Sequence, residues 1–269
     1  MRYVQNLGKF VPNNMEGISM RILKIMFPLI LILVIWSILS IFINPMLLPS
    51  PLVVLNTLIS LITNGVLIKA TMASFTRITI ATFLSAIVSI PIGLIVSNYK
   101  WADFTATGFT GFMRYFPMTA FFTLLIMWSG IGEIMKILFI FLITFFYFLP
   151  AVILCLKEVN QDLIDTALTM GMSKFTVMYK VLLPAALPNI CQHFLMMYGL
   201  GWTYIIIAES INTGVGLGFL MSIAGLRGQL DIVFAALIII LAVSIVFDTI
   251  GQFLIKKIFK WKFARKVNG

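Results

Sequence analysis

The chain has 269 residues, 61% of them apolar and 10% charged, with a formal net charge of +10. Soluble domains hold about 45–50% apolar and about 25% charged residues, so a water-soluble enzyme, a disordered chain and a nucleic-acid module are excluded and an integral membrane protein remains. Two cysteines exclude a disulfide framework and a zinc cluster.

Charge-free apolar runs set the expected spans. In chain order they are 25–43, 78–96, 115–132, 137–156, 190–208 and 232–247, the last running on past Asp248 to Ile255. Each approaches the ~20 residues that a helix needs to cross the hydrocarbon. None alternates as a β-barrel strand does. The first run follows Arg21 and Lys24. It is too long for a signal-peptide core, and no small-x-small cleavage site follows, so it reads as a retained helix. The expectation is an all-α integral membrane protein of six transmembrane helices. It divides into 1–66 (first span and an outer helix), 67–255 (core) and 256–269 (basic tail).

Most of the 19 basic residues fall on one side of this layout: Arg2, Lys9, Arg21 and Lys24 before the first run, Lys100, Lys157, Lys174 and Lys180 in the even connections, and Lys256, Lys257, Lys260, Lys262, Arg265 and Lys266 in the tail. Cytoplasmic loops retain lysine and arginine, so both termini are expected inside. The net charge then reports orientation rather than an acidic ligand.

Three connections are more than turns. After Leu48-Pro49-Ser50-Pro51, residues Leu52, Leu55, Leu58, Ile59 and Ile62 recur at helical spacing, with Pro51 suited to a first turn. This predicts an amphipathic helix on the outer surface. The inner connection 157–188 is far longer than a usual helix–helix link and holds Glu158, Asp162 and Asp165, three of the nine acidic residues. Asn160 is a candidate N-cap, and Leu163, Ala167 and Met170 are expected on one face. Gly171 is the expected left-handed C′ residue. Ser173 is expected to cap a second short helix through Lys180, stopped by Pro184 and Pro188. Such short helices need a surface to pack on, either their own span ends or a soluble partner. The outer connection 210–231 contains Gly214, Gly216 and Gly218. A nucleotide cradle would require a preceding strand in a soluble βαβ unit, so a tight outer turn is expected.

No catalytic constellation is visible. His193 is the sole histidine, Cys155 and Cys191 read as small apolar residues, and there is no P-loop. The chain is therefore read as a non-enzyme, with no cofactor or metal of its own. No run carries a central acidic–basic pair of the kind found in ion-coupled carriers, Asp248 being the nearest exception. Arg77, Arg114 and Glu209 lie near run ends, where snorkelling makes charge cheap.

The inner connection carries a family resemblance. Asp165-Thr166-Ala167, then Gly171, then Val181-Leu182-Leu183-Pro184-Ala185-Ala186-Leu187-Pro188 resembles the EAA loop of the membrane subunits of binding-protein-dependent ABC importers. Leu48-Pro49-Ser50-Pro51, Ser74-x-x-Arg77, Arg114-x-x-Pro117, Trp128-Ser129-Gly130-Ile131-Gly132-Glu133 and Ala208-Glu209-Ser210-Ile211 with the three alternating glycines are similar to the nitrate/sulfonate/taurine/bicarbonate-type permeases. The resemblance covers about Leu47 to Ile255. Asp165 and Thr166 stand where the motif usually has Glu and Ala, and Thr123 where the subgroup often has a proline.

The resemblance implies a type I importer (MetI-like) permease fold with cytoplasmic coupling helices, in a bacterial inner membrane. It implies a second copy of the chain, cytoplasmic ATPase subunits that bind ATP and Mg, and an extracytoplasmic binding protein. It further implies an ATPase-docking role for Asp165, Thr166, Ala167, Gly171, Ser173, Pro184 and Pro188. Glu209, Gly214, Gly216 and Gly218 would meet the binding protein. Arg114, Thr119 and Thr123 are path-lining candidates. The implied cargo is a small anion or organic nutrient of the nitrate, sulfonate or taurine kind. A stand-alone carrier or channel without an ATPase is the alternative.

Overall fold

The structure, a computed structural model, describes residues 18–99, 104, 108, 111–113, 116–211 and 214–263, with side chains from residue 27 onward. Its helices are α1 (Ile18–Phe42), α2 (Pro51–Thr63), α3 (Val66–Asn98), α4 (Met118–Ser129), α5 (Glu133–Lys157), α6 (Gln161–Thr169), α7 (Lys174–Val177), α8 (Leu183–Glu209), α9 (Leu217–Leu226), α10 (Leu230–Ile258) and α11 (Lys260–Phe263). A π-helical turn, Met178–Leu182, joins α7 to α8. Four helices among the described residues are long and apolar enough to cross a membrane: α3, α5, the continuous Lys174–Glu209 and α10.

The centre is α3, α5 and α8. Arg77 meets Glu133, and Gly93 lies beside Val152, so α3 and α5 run parallel. Gly201 lies beside both Ile78 and Ile140, and Glu209 reaches Arg77, so α8 runs antiparallel to them. Small residues make these approaches close. A Cβ at Gly93 would sit 2.6 Å from Val152 Cγ1, and one at Gly201 would sit 2.8 Å from Ile78 Cγ2. In lipid no hydrophobic force drives helices together, so close backbone packing across small residues takes its place. Leu67, Ile78, Phe122, Phe139, Ile143, Tyr198 and Trp202 fill one buried cluster. Leu94, Phe148, Val152, Leu156, Leu182 and Ile190 fill another at the far end of the same helices.

Because α3 and α5 are parallel, Asn98 and Glu133 lie at opposite ends of the molecule. Of the connection between them, residues 100–103, 105–107, 109–110 and 114–115 lie outside the described residues. The expected third span was 115–132, but its described helix, α4, is only 12 residues. That is about 18 Å of rise, short of the ~30 Å hydrocarbon core. Pro117 precedes the first helical residue and Gly130 follows the last. Proline cannot supply the helical N–H, and Gly130 is left-handed with φ 71°.

The helix expected after Pro51 forms, with the proline in its first turn, but its face differs from the expected one. Val54 is buried, and Leu58 and Leu61 pack on the core, whereas Leu52, Leu55 and Ile59 are exposed. Apolar residues surround this helix, so spacing alone could not choose the packed side. Thr57 Oγ1 donates to Asp231 Oδ2 at 2.7 Å, tying α2 to α10. Along α1 the described apolar side chains are largely exposed. Its Trp36 donates through Nε1 to Pro49 O at 3.1 Å and stacks on Phe234 at 5.3 Å.

Candidate functional site

Two constructions stand out, one at each end of the α3–α5–α8 core. The first is the connection from α5 to α8. Asn160 Oδ1 accepts the Asp162 N–H at 3.0 Å, which caps α6 as the sequence implies. Asp162 and Asp165 follow in the early turns, where the helix dipole favours anions. At the other end the Gly171 N–H bonds to Leu168 O (2.9 Å) and the Met172 N–H to Ala167 O (3.2 Å). This pair is a Schellman motif. It requires a left-handed residue at C′, and Gly171 has φ 83°. Ser173 Oγ then accepts the Thr176 N–H at 3.2 Å and caps α7.

The second short helix does not stop at Pro184. It passes through the π turn and continues as α8 to Glu209, with Pro188 buried inside. The Leu183 N–H reaches back five residues to Met178 O. This wider turn absorbs the crowding that a proline ring imposes on the preceding turn, so the helix survives the two prolines. Pro184 is exposed and Pro188 is not, so only the former can touch a partner directly.

The face expected to hold Leu163, Ala167 and Met170 is split. Ala167 is buried and Ile164 packs on the Leu94–Ile190 cluster, while Leu163 and Met170 are exposed. The helix thus packs partly on its own span ends and leaves the rest outward. Asp165, Thr166, Gly171 and Ser173 are exposed beside it. So are the apolar side chains of Leu163, Met170, Phe175 and Tyr179. Asp165 Oδ1 accepts from Gln161 Nε2 at 3.1 Å.

The second construction is a charge cluster at the opposite end. Arg77 Nε and Nη2 form a two-pronged bridge to Glu133, at 2.6 and 2.7 Å. Its Nη1 donates to Glu209 Oε1 at 2.5 Å and to Val215 O at 2.9 Å. Lys136 Nζ donates to Glu133 Oε1 at 2.7 Å. Ser74 Oγ lies 2.9 and 2.8 Å from the Glu209 oxygens and accepts the Leu217 N–H at 2.9 Å. The Gly218 N–H donates to Glu209 Oε2 at 2.9 Å. Two carboxylates and two cations make the group neutral. Glu209 is 0% exposed, Lys136 2% and Arg77 7%.

Snorkelling therefore does not describe Arg77 or Glu209: both are buried and paired to each other. Their spacing within single runs gave no sign of this, because the four charged residues come from α3, α5 and the end of α8. The alternating glycines are also more than a turn. Leu217 and Gly218 open α9, and their otherwise orphaned N–H groups are taken by Ser74 and Glu209. Gly216, at φ 153°, bends the chain around that carboxylate in a conformation that side chains disfavour. A Cβ at Gly218 would lie 2.8 Å from both Cα and O of Ile206. The loop does cradle an anion, but the anion is the chain's own. Gly214 lies on the surface of this loop. Lys69, Gly214, Val215, Phe219 and Leu220 line a shallow recess beside it.

Thr119 and Thr123 are exposed on one face of α4. Arg114 lies outside the described residues. Cys155 is buried in the core near α6. Among the described residues no group of acidic, histidine and cysteine side chains could hold a metal ion.

A family model described as "Binding-protein-dependent transport system inner membrane component" matches residues 89–260. A putative ABC transporter permease protein of Methanocaldococcus jannaschii is 32% identical, over 93% of this chain and 98% of its own. The taurine transport system permease protein TauC of Escherichia coli is 30% identical over 86% of each. A putative aliphatic sulfonates transport permease protein, SsuC of Bacillus subtilis, is 29% identical over 80% of this chain and 78% of its own. In fold the chain is similar to the MetNI methionine ABC transporter in inward-facing form. That likeness has TM-score 0.66 at 17% identity and covers 71% of this chain and 95% of that one. With these matches and its apolar spanning helices, the chain belongs to the family of inner-membrane permease components of binding-protein-dependent ABC transport systems.

Proposed function

We propose that two copies of this chain form the passage of an ATP-driven importer, and that ATP and Mg are handled by separate cytoplasmic ATPase subunits docking on α6. The observation that carries this reading is the construction of α6. It is capped at both ends, seated through Ile164 and Ala167 on the ends of the long helices, and exposed on its remaining sides. A helix of nine residues is marginal alone in water. Seated in this way it can move as one body with its partner and pull on α5 and α8 together, switching between two states that ATP biases.

The chain crosses six times in this reading. Beyond the four long helices, α1 supplies one crossing and the expected 115–132 run the other. Both termini and α6 then lie in the cytoplasm, in keeping with the lysines at that end. The Gly214–Gly218 loop and the recess beside Lys69 face outward, where a binding protein delivers its cargo. The permease relatives named for taurine and aliphatic sulfonates support a small sulfonate-like solute as cargo.

Gly171→Val tests the docking. The variant forces a β-branched side chain into a left-handed turn, while a Cβ there meets nothing within 4 Å. Membrane insertion is expected to stay normal while the ATPase subunit no longer copurifies. Undiminished copurification would overturn the assignment.

A further inference from the structure

Asp248 is an exposed carboxylate within a membrane-crossing helix. It lies on α10, two turns before Lys256 and Lys257, which places it about 12 Å along the axis from the basic end. Among the described residues no hydrogen bond or ion pair engages it. Its groove runs between α8 and α10, lined by Leu195, Met196, Gly199, Ser244, Ile245 and Thr249 with the Tyr198–Phe247 stack behind. One turn nearer the basic end the groove closes, because Gly251 lets α10 come down on Leu195. An ionised side chain facing hydrocarbon is expensive, so such residues face water or a polar partner. On one wall a Cβ at Gly199 would meet nothing within 4 Å, and on the other Ser244 supplies a hydroxyl.

We propose that the α8–α10 groove is a water-filled stretch of the solute passage and that Asp248 makes it a subsite for a cationic group, such as the ammonium end of a small zwitterion. The charged atom and the adjacent hydroxyl of Ser244 are elements that such a group requires: a counter-ion and a hydrogen-bonding neighbour. The groove would draw the positive end of a solute while leaving an anionic end to other walls. This rests on the reading of the chain as the passage-forming subunit.

The test needs no knowledge of the cargo. In the full transporter, with Cys155 and Cys191 replaced by alanine, Ser244→Cys places a thiol one helical turn from Asp248. Membrane vesicles are treated with two water-soluble methanethiosulfonates, one bearing trimethylammonium and one sulfonate. Both should react, and the cation-to-anion rate ratio should fall about tenfold when Asp248→Asn is added, as expected for unit charges about 6 Å apart at the dielectric of water. Asp248→Glu should keep the ratio. Gly199→Cys, where a Cβ meets nothing within 4 Å, is a second reporter on the opposite wall. Thiols at both positions that react only after denaturation would show lipid or a second copy covering the groove, and would overturn the proposal. A ratio indifferent to Asp248→Asn would overturn the cation subsite. ATPase copurification from the same membranes is expected to be unaffected by Asp248→Asn, which separates this failure from failure of the docking assignment.

Discussion

The guanidinium of Arg77 and the carboxylate of Glu209 lie 2.5 Å apart, the second wholly buried and the first nearly so. They join the first long helix of the core to the last turn of α8, and through Gly218 to the start of α9. Removing one partner strands the other charge away from water. Arg77→Met should cost about 3–5 kcal/mol, read as a loss of thermal stability in detergent. Arg77→Lys keeps the charge but cannot hold both carboxylates in a fork, so it should fall between wild type and methionine. A double variant, Arg77→Met with Glu209→Gln, should recover part of the loss. If the double variant were worse than the sum of the singles, the pairing would not be the source of the effect.

Gly218→Ala and Gly225→Ala make a contrast on one helix. At Gly218 a Cβ would strike the Ile206 backbone, which cannot rotate away, whereas at Gly225 it meets nothing. The first should destabilise by about 1–3 kcal/mol. The second should be neutral or stabilising by up to about 1 kcal/mol, since alanine is the better helix former. Melting temperatures of the two purified proteins decide the matter, and equal values would refute the close approach of α9 to α8.

Asn160→Ala removes the side-chain cap of α6 at a cost of about 1 kcal/mol. The penalty should stay local. Amide exchange across 161–169 should speed up several-fold, while exchange in α5 and α8 is unchanged. Faster exchange throughout would mean that α6 is needed for the fold itself rather than seated on it.

Thr57→Val deletes the hydroxyl that donates to Asp231, at about 1.5–3 kcal/mol for a bond to a charged acceptor. A double-mutant cycle with Asp231→Asn should give a clear coupling energy. Coupling near zero would indicate that α2 is held on α10 by apolar contact alone.

Pro184→Leu restores an N–H that can bond to Lys180 O in an ordinary turn. The π turn should then regularise, rotating α7 by about one residue, or ~100°, relative to α8. The expected outcome is intact folding with weakened ATPase copurification.

Much of the α6 region is legible from residues alone, because caps and C′ glycines are local devices. Asn160, Gly171 and Ser173 each act on amides within a few positions of themselves. The continuity of Lys174–Glu209 was not legible, since two prolines argue for a stop and only a π turn reconciles them. The charge cluster was legible in pieces. Ser74-x-x-Arg77, Glu133, Glu209 and the alternating glycines each carry a signal, but the 56 and 132 residues between Arg77 and its two carboxylates hide their meeting. Helical periodicity likewise could not choose the packed face of α2, where apolar residues point both inward and outward.

The uninterrupted run from Lys174 to Glu209 is 36 residues, about 54 Å end to end. One end adjoins α6 and the other is pinned by Arg77. A rod of that length is a lever: a tilt of 5° about its midpoint moves each tip by about 2 Å, in opposite senses. That is comparable to the separation across a single ion pair. A displacement at the α6 end can therefore arrive at Glu209 as a movement large enough to break or remake its contact with Arg77, with no signal relayed through intervening side chains.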